Sequence, residues 1–307
     1  MEVLKVENLQ KSFGKKEVLK DLSFTINEGE ILGFLGRNGS GKSTTMKCLS
    51  GLMAFDSGSV SICGFDIKKD RIKALEKIGV SIESPALYPN LSAYDHYKQM
   101  AAWRKIPKER VQEMIDFANL GSYLKKPVST YSMGMKMRLM LSLVIMHKPK
   151  LLILDEPMNG LDFEGVLNLR KTLVDLKNSG SSILLSSHQL SELEKISDRV
   201  LMIENGKVVY DDKISGGILE LSTYDIDTSD NSKLIKILEE REIEYSISKN
   251  PATENYISFN LESSKIGSLL EKLFEEKIYI KDISKESLGL EELYQSIIEV
   301  KNQWKTY

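Results

Sequence analysis

The 307-residue sequence predicts an α/β domain built on a parallel sheet covered on both faces, followed by a smaller α+β domain. Two observations carry the first part. Three runs, Ile31-Leu32-Gly33-Phe34-Leu35, Leu151-Leu152-Ile153-Leu154 and Ser182-Ile183-Leu184-Leu185, are apolar without alternation, as strands buried on both faces are, and segments of helical spacing lie between them. The first run leads straight into Gly36-Arg37-Asn38-Gly39-Ser40-Gly41-Lys42-Ser43, a glycine-rich turn ahead of a helix. A third observation carries the second part: after the Gly216-Gly217 pair the pattern becomes that of short alternating strands and amphipathic helices in the order βαββαβ.

In chain order, Val3, Leu4 and Val6 mark a strand, Gly14-Lys15-Lys16 a loop, and Leu22, Phe24 and Ile26 a second strand. Asn27-Glu28-Gly29-Glu30 is a turn before the apolar run at 31–35, and a helix is expected from Thr44 to Leu52. Ile78-Gly79-Val80-Ser81-Ile82 reads as a buried strand, yet it ends on a carboxylate, Glu83, just before a turn at Pro85. Taken alone, Glu83 reads as a solvated loop residue, because glutamate is almost never fully buried without a partner. Helical spacing from Pro107 to Tyr123 (Val111, Met114, Ile115, Ala118) and from Met135 to Met146 marks a helical insertion over about 84–150.

A helix from Val166 to Asn178 ends near Gly180, and Glu204-Asn205-Gly206-Lys207 reads as a hairpin. Beyond it, strands are expected at Tyr224 and Ile226, at Tyr245 and Ile247, at Ile257, Phe259 and Leu261, and near Tyr279 to Ile283. Helices are expected over 232–242, along the face of Ile266, Leu269, Leu270, Leu273 and Phe274, and at the end through Leu290, Leu293, Tyr294, Ile297 and Ile298. The predicted domains are 1–220 and 221–307, the second ferredoxin-like.

Composition narrows the function classes. With 41% hydrophobic and 28% charged residues, the chain is an ordinary globular one rather than a disordered one. Its longest apolar stretch, near Leu139 to Met146, is far below the roughly 18 residues of a membrane span, and the start lacks the basic and apolar regions of a signal peptide. A cytosolic chain is the expectation. Cys48 and Cys63 have neither disulfide-framework nor metal-ligand spacing. Residues 1–221 carry 31 Lys/Arg against 27 Asp/Glu, and residues 222–307 carry 11 against 17, so the acidic second part argues weakly against nucleic acid as partner.

The chemistry is in the motifs. GxxxxGK[ST] between a strand and a helix is a P-loop: its backbone N–H groups curl around phosphates, Lys42 reaches the β and γ phosphates, and Ser43 supplies an oxygen to Mg²⁺. About 110 residues later Leu151-Leu152-Ile153-Leu154-Asp155-Glu156-Pro157 offers the second acid. Asp155 serves the metal and Glu156 is the candidate general base for the attacking water. His188, at the end of the next strand, is a candidate hydrogen-bond partner of the γ phosphate.

Tyr131-Ser132-Met133-Gly134-Met135, just ahead of the Asp155 strand, resembles the signature of ABC (ATP-binding cassette) ATPases. Asn159-Gly160-Leu161-Asp162 resembles their D-loop, and Phe13 stands at the position of the adenine-stacking aromatic. The resemblance covers residues 1 to about 220. It implies a P-loop cassette with a parallel-sheet core, an antiparallel β subdomain and a helical subdomain. It also implies a head-to-tail dimer in which Ser132 and Gly134 of one subunit cap ATP held by Gly36 to Thr44 of the other, with Asp162 at the interface. Met133 stands where the family has its first signature glycine and Met135 where it has glutamine.

Glu83 falls at the family's Q-loop glutamine, where the resemblance gives it a share in holding Mg²⁺ and in sensing the membrane partner. That variant loop and the Met133 signature are similar to those of ATPase subunits of bacitracin-resistance and lantibiotic self-immunity exporters. The expected protein is therefore an ATP-hydrolysing exporter subunit at the cytoplasmic face of the membrane. It would work as a homodimer or with a related subunit, on a separate permease. The alternative is a soluble regulatory ABC ATPase acting on a protein or the ribosome. Residues 221–307 resemble the extensions of exporter ATPases, with Ser287 to Tyr294 as the closing helix and protein–protein contact as the expected role.

Overall fold

Alternating burial shapes the two N-terminal strands. β1 (Glu2–Phe13) buries Leu4, Val6 and Leu9, with Lys5 and Glu7 between them, and β2 (Lys16–Asn27) buries Leu22, Phe24 and Ile26, with Ser23 and Thr25 between them. They join β4 (Ser57–Ile62) and β5 (Phe65–Asp66) in a four-stranded antiparallel sheet of order β2-β1-β4-β5. The computed structural model describes residues 1–83, 86–214, 221–247, 256–287, 289–291 and 293–295. The Ser84-Pro85 turn, the Gly216-Gly217 pair and Ile297 and Ile298 lie outside the described residues. The chain divides into two units, Met1–Asp212 and Lys213–Tyr307.

The central sheet of the first unit has six strands: β3 (Ile31–Leu35), β6 (Ile78–Ser81), β7 (Leu151–Asp155), β8 (Ser182–Ser186), β9 (Arg199–Glu204) and β10 (Lys207–Lys213), in the order β10-β9-β3-β8-β7-β6. Every residue of β3, β7 and β8 is buried, as unbroken apolar runs require. Each fully buried Leu or Ile there contributes about 1.5–3 kcal/mol relative to exposure. The pairings β3 to β8 and β9, and β7 to β6 and β8, are all parallel. The carboxyl ends of β3, β8 and β7 therefore stand side by side, with Ser186 of β8 opposite both Phe34 and Asp155. This is the edge at which open α/β sheets place ligands.

The P-loop helix α1 (Lys42–Leu49) begins two residues earlier than its apolar pattern predicts and stops sooner, because Gly51 at φ 69° closes it by donating to Cys48 O. After α2 (Arg71–Glu76), the insertion contains α3 (Ala93–Arg104), α4 (Lys108–Ala118) and α5 (Met133–Ile145). The apolar spacing does not reveal α3. It starts on a capping box, in which Ser92 Oγ accepts from Asp95 N and the Asp95 carboxylate accepts from Ser92 N. Pro107 separates α3 from α4, and the segment predicted as one helix to Tyr123 ends at Asn119 in a left-handed cap, followed by a 3-10 turn. Two further helices, α6 (Phe163–Asn178) and α7 (Leu190–Glu194), complete the unit.

α5 lies on β6 at Gly79, where an added Cβ would stand 2.7 Å from Val144 O. Beside this contact is a cleft of about 250 Å³ lined by Leu75, Ile78, Met100, Arg104, Val144 and His147, among others. The His147 Nε2 pairs with Ile78 O at 2.8 Å, while its buried Nδ1 has no partner among the described residues. Burial pushes the His147 imidazole below the ordinary histidine value, with the Arg104 and Arg110 charges adding to the shift and the bond to Ile78 opposing it.

In the second unit β11 (Leu221–Thr228), α8 (Asn231–Glu240), β12 (Tyr245–Ile247), β13 (Ile257–Glu262), α9 (Ile266–Glu275) and β14 (Ile280–Ser287) follow the βαββαβ order. The sheet order β12-β13-β11-β14, antiparallel throughout, is the ferredoxin-like one. Tyr224, Ile226, Ile257 and Phe259 of the sheet pack on Leu234, Leu238, Leu269 and Leu273 of the helices.

Candidate active site

The P-loop wraps the carboxyl end of β3. Gly36 adopts φ 156°, and an added Cβ would lie 2.4 Å from both Ile203 O and Ser40 Oγ, so only glycine passes here without displacing the loop. The α1 N-cap, Gly41, makes no side-chain cap bond, which leaves first-turn N–H groups free for an anion at the positive end of the helix. Lys42 Nζ donates to Gly36 O at 2.5 Å and to Arg37 O at 3.3 Å, so its ammonium lies inside the loop. Burial lowers its pKa from the ordinary lysine value, against the raising effect of Glu156, Asp155 and Glu204. The ends of β3, which leads into the Lys42 loop, and of β7, which carries Asp155, flank Ser186 of β8 at the same edge of the sheet.

Asp155 and Glu156 are joined through the neighbouring strand. Ser186 Oγ donates to Asp155 Oδ1 at 2.5 Å and accepts from Glu156 N at 3.0 Å. Asp155 is buried, and no hydrogen-bond partner of its Oδ2 is found among the described residues. Glu156 turns the chain in the left-handed region at φ 52°, a conformation that costs a non-glycine residue about 1–2 kcal/mol. Its Oε2 accepts from His188 N at 3.1 Å and pairs with His188 Nδ1 at 2.8 Å. An ionised carboxylate only accepts, so Nδ1 carries hydrogen here and Nε2 faces away from Glu156.

Glu83 is bonded elsewhere. It sits at φ 64° just after β6, and its Oε1 accepts from Lys47 Nζ at 2.6 Å. Lys47 is on α1, five residues after Lys42. The sequence gives no sign of this pair, since 36 positions separate the partners and lysine on a helix reads as a solvated face. Ser186 was equally hidden, as a small residue at the end of an apolar run.

The remaining sequence-predicted residues form a separate group. Ser132 is the N-cap of α5, with its Oγ accepting from Met135 N, and Asp162 is the N-cap of α6, with its Oδ1 accepting from Gly165 N at 2.9 Å. Both, with Gly134, line a cleft of about 330 Å³ between α5 and α6, and none of residues 36–44 lines it. Met133 lies against Gly160: a Cβ on that glycine, which has φ 74°, would be 3.2 Å from Met133 Cγ. Phe13 ends β1, about half exposed, with the Lys11 ammonium 5.4 Å from its ring centre.

The chain is similar to known proteins over most of its length. The family model described as ABC transporter matches residues 19–159. The chain is 40% identical over 214 residues to the lantibiotic transport ATP-binding protein SrtF of Streptococcus pyogenes, covering 70% of this chain and 92% of the relative. It is 33% identical over 299 residues to the bacitracin transport ATP-binding protein BcrA of Enterococcus faecalis, covering 96% of each. Among solved structures it is similar to an ATP binding subunit of an ABC transporter, with a TM-score of 0.65 at 29% identity, over 69% of this chain and 90% of that one.

Proposed function

The chain belongs to the ABC transporter ATP-binding proteins and is an ATP-hydrolysing cassette; from that premise we propose that it powers a separate permease exporting antimicrobial peptides or drugs of the lantibiotic and bacitracin kind. One observation carries the catalytic half of this reading: the hydrogen-bonded chain of Asp155, Ser186, Glu156 and His188 beside Lys42. The likeness to SrtF and BcrA supports the transported class.

The residues have distinct tasks. The P-loop amides and the Lys42 ammonium bind the β and γ phosphates, and Phe13 offers a ring to the adenine. Glu156 takes the proton of the attacking water on Oε1, since Oε2 is already committed to His188. His188 orients that carboxylate. Mg²⁺ fits the site through Ser43 and Asp155: among the described residues neither the Ser43 hydroxyl nor Asp155 Oδ2 has a hydrogen-bond partner, and a Mg²⁺ site of this kind needs only one or two protein oxygens. Bound there, the ion neutralises charge developing on the phosphate oxygens. Any share of Glu83 in holding it would fall to Oε2, since Oε1 is held by Lys47.

Ser132, Gly134 and Asp162 line a cleft apart from the P-loop, which supports a dimer in which each subunit completes the other's site. No helix among the described residues is long and apolar enough to cross a membrane; the likeness to transport ATP-binding proteins supports action on a separate permease at the cytoplasmic face. The cleft between α3, α5 and β6, just ahead of Glu83, suits a short segment of that partner. Residues 221–307 act in protein contact.

The test is to purify the chain with the membrane protein encoded beside it and to measure ATPase stimulation by a panel of lantibiotics and bacitracin. Stimulation by one class and not by unrelated peptides is the expected result. A chain that pulls down ribosomes or a soluble protein instead, with no stimulation, removes the exporter reading.

A further inference from the structure

We propose that Ser186 is a positioning residue for hydrolysis, whose hydroxyl sets the metal-facing oxygen of Asp155 while it bonds the backbone amide of Glu156. Ser186 is the last residue of β8 and is fully buried between the strands that carry the two motifs. The direction of its bonds is unambiguous. An amide N–H can only donate and an ionised carboxylate can only accept, so the hydroxyl receives from Glu156 N at 3.0 Å and gives its single hydrogen to Asp155 Oδ1 at 2.5 Å. Bonds in such a chain polarise one another.

Each end has a consequence for the reaction. At Asp155, the bond occupies Oδ1 and fixes the carboxylate's rotation, so that Oδ2 is the oxygen presented to a cation. Without it, a buried carboxylate oxygen would lose its partner and the group would be free to turn. At Glu156, the bond supports a left-handed residue that directs the side chain to His188. The Glu156 N–H has a second acceptor, the Ser186 carbonyl at 3.2 Å. Loss of the hydroxyl therefore leaves the strand pairing and the Glu156 turn in place while removing the donor from Asp155. Outer partners of metal ligands typically govern about 10–100-fold of metal affinity or activity.

The experiment compares Ser186→Ala, Ser186→Cys and Ser186→Thr in the full chain. ATP affinity is measured in EDTA and in Mg²⁺, together with the Mg²⁺ concentration for half-maximal hydrolysis and thermal midpoints. For Ala and Cys, ATP binding in EDTA should match wild type, while the half-maximal Mg²⁺ concentration rises about tenfold and kcat falls by about 10–100-fold. Cys is the packing control, because it fills the space with only a weak donor. Wild-type behaviour of Cys, or unchanged Mg²⁺ dependence in Ala, overturns the proposal. Thr keeps the hydroxyl and should restore the Mg²⁺ dependence; if its methyl group prevents folding, Ala and Cys still decide.

The inference rests on the Mg²⁺ site proposed above, and the outcomes separate the two. Wild-type protein that binds and hydrolyses ATP without regard to Mg²⁺ removes that site, and Ser186's role with it. A Mg²⁺-dependent wild type with an unaltered Ser186→Ala removes the role of Ser186 alone.

Discussion

Glu83 and Lys47 form an ion pair at 2.6 Å, joining the loop after β6 to the helix that begins with the P-loop lysine. The glutamate is mostly exposed, so the pair contributes at most about 1 kcal/mol to stability, and its interest is mechanical. Under the proposed function, a carboxylate held on α1 would follow any movement of that helix when nucleotide binds. Glu83→Ala is expected to lower export or resistance about fivefold or more, within the range of coupling energies, while ATP affinity changes by about twofold or less. Lys47→Ala should reproduce the effect. Equal loss of affinity and resistance would assign Glu83 to the nucleotide site instead.

Glu156→Gln keeps the shape and the bond from His188 N but cannot accept the proton of water. Hydrolysis should fall by about 10²–10⁴-fold with ATP binding retained. ATP-bound dimer should then accumulate, visible by size-exclusion chromatography. Wild-type turnover would exclude Glu156 as the base.

Lys42→Ala removes the ammonium that Gly36 O and Arg37 O hold within the loop. A charge-assisted hydrogen bond of about 1.5–3 kcal/mol corresponds to a loss of about 10–100-fold in ATP affinity. Titration with a fluorescent nucleotide measures it, and undiminished binding would count against the P-loop assignment.

His147 gives the first unit a pH dependence of definite sign. Its folded pKa lies below the unfolded value of about 6.5 because the ring is buried, with Arg104 and Arg110 nearby. Above that value both states are neutral and the group contributes no pH dependence. As pH falls below it, the unfolded chain takes up the proton first, and stability is lost until the folded pKa is reached. The thermal midpoint of wild type should therefore drop faster than that of His147→Gln as pH falls below about 6.5. Parallel curves would show that His147 titrates alike in both states.

Much of this architecture is legible in the chain because burial on both faces leaves no alternation. The runs ending at Leu35, Asp155 and Ser186 announce a parallel sheet, and the spacing from Gly36 to Ser43 announces what lies at its edge. The second unit is legible for the opposite reason: β11 and β13 each have one open face, so Tyr224, Ile226, Ile257 and Phe259 alternate with polar residues. Helix α3 is hidden because its apolar side chains do not keep to one face, Tyr97 being fully buried while Tyr94 and Trp103 are exposed. Only the Ser92 to Asp95 spacing marks its start. Lys47 and Ser186 were illegible for a different reason: each acts through a partner brought near by folding, and neither residue type advertises chemistry.

The contact of Met133 with Gly160 makes the two motifs interlock within a single chain. A side chain of this length in the signature lies over Gly160 of the D-loop, where an added Cβ would press on Met133 Cγ at 3.2 Å. A chimera receiving a glycine-bearing signature from another cassette would gain its donors to phosphate but open a gap above Gly160. Transplanting residues 131–138 and 159–162 together is the exchange that preserves the fit. In this cassette the signature and the D-loop are one exchangeable part, although 25 positions of sequence lie between Met133 and Asn159.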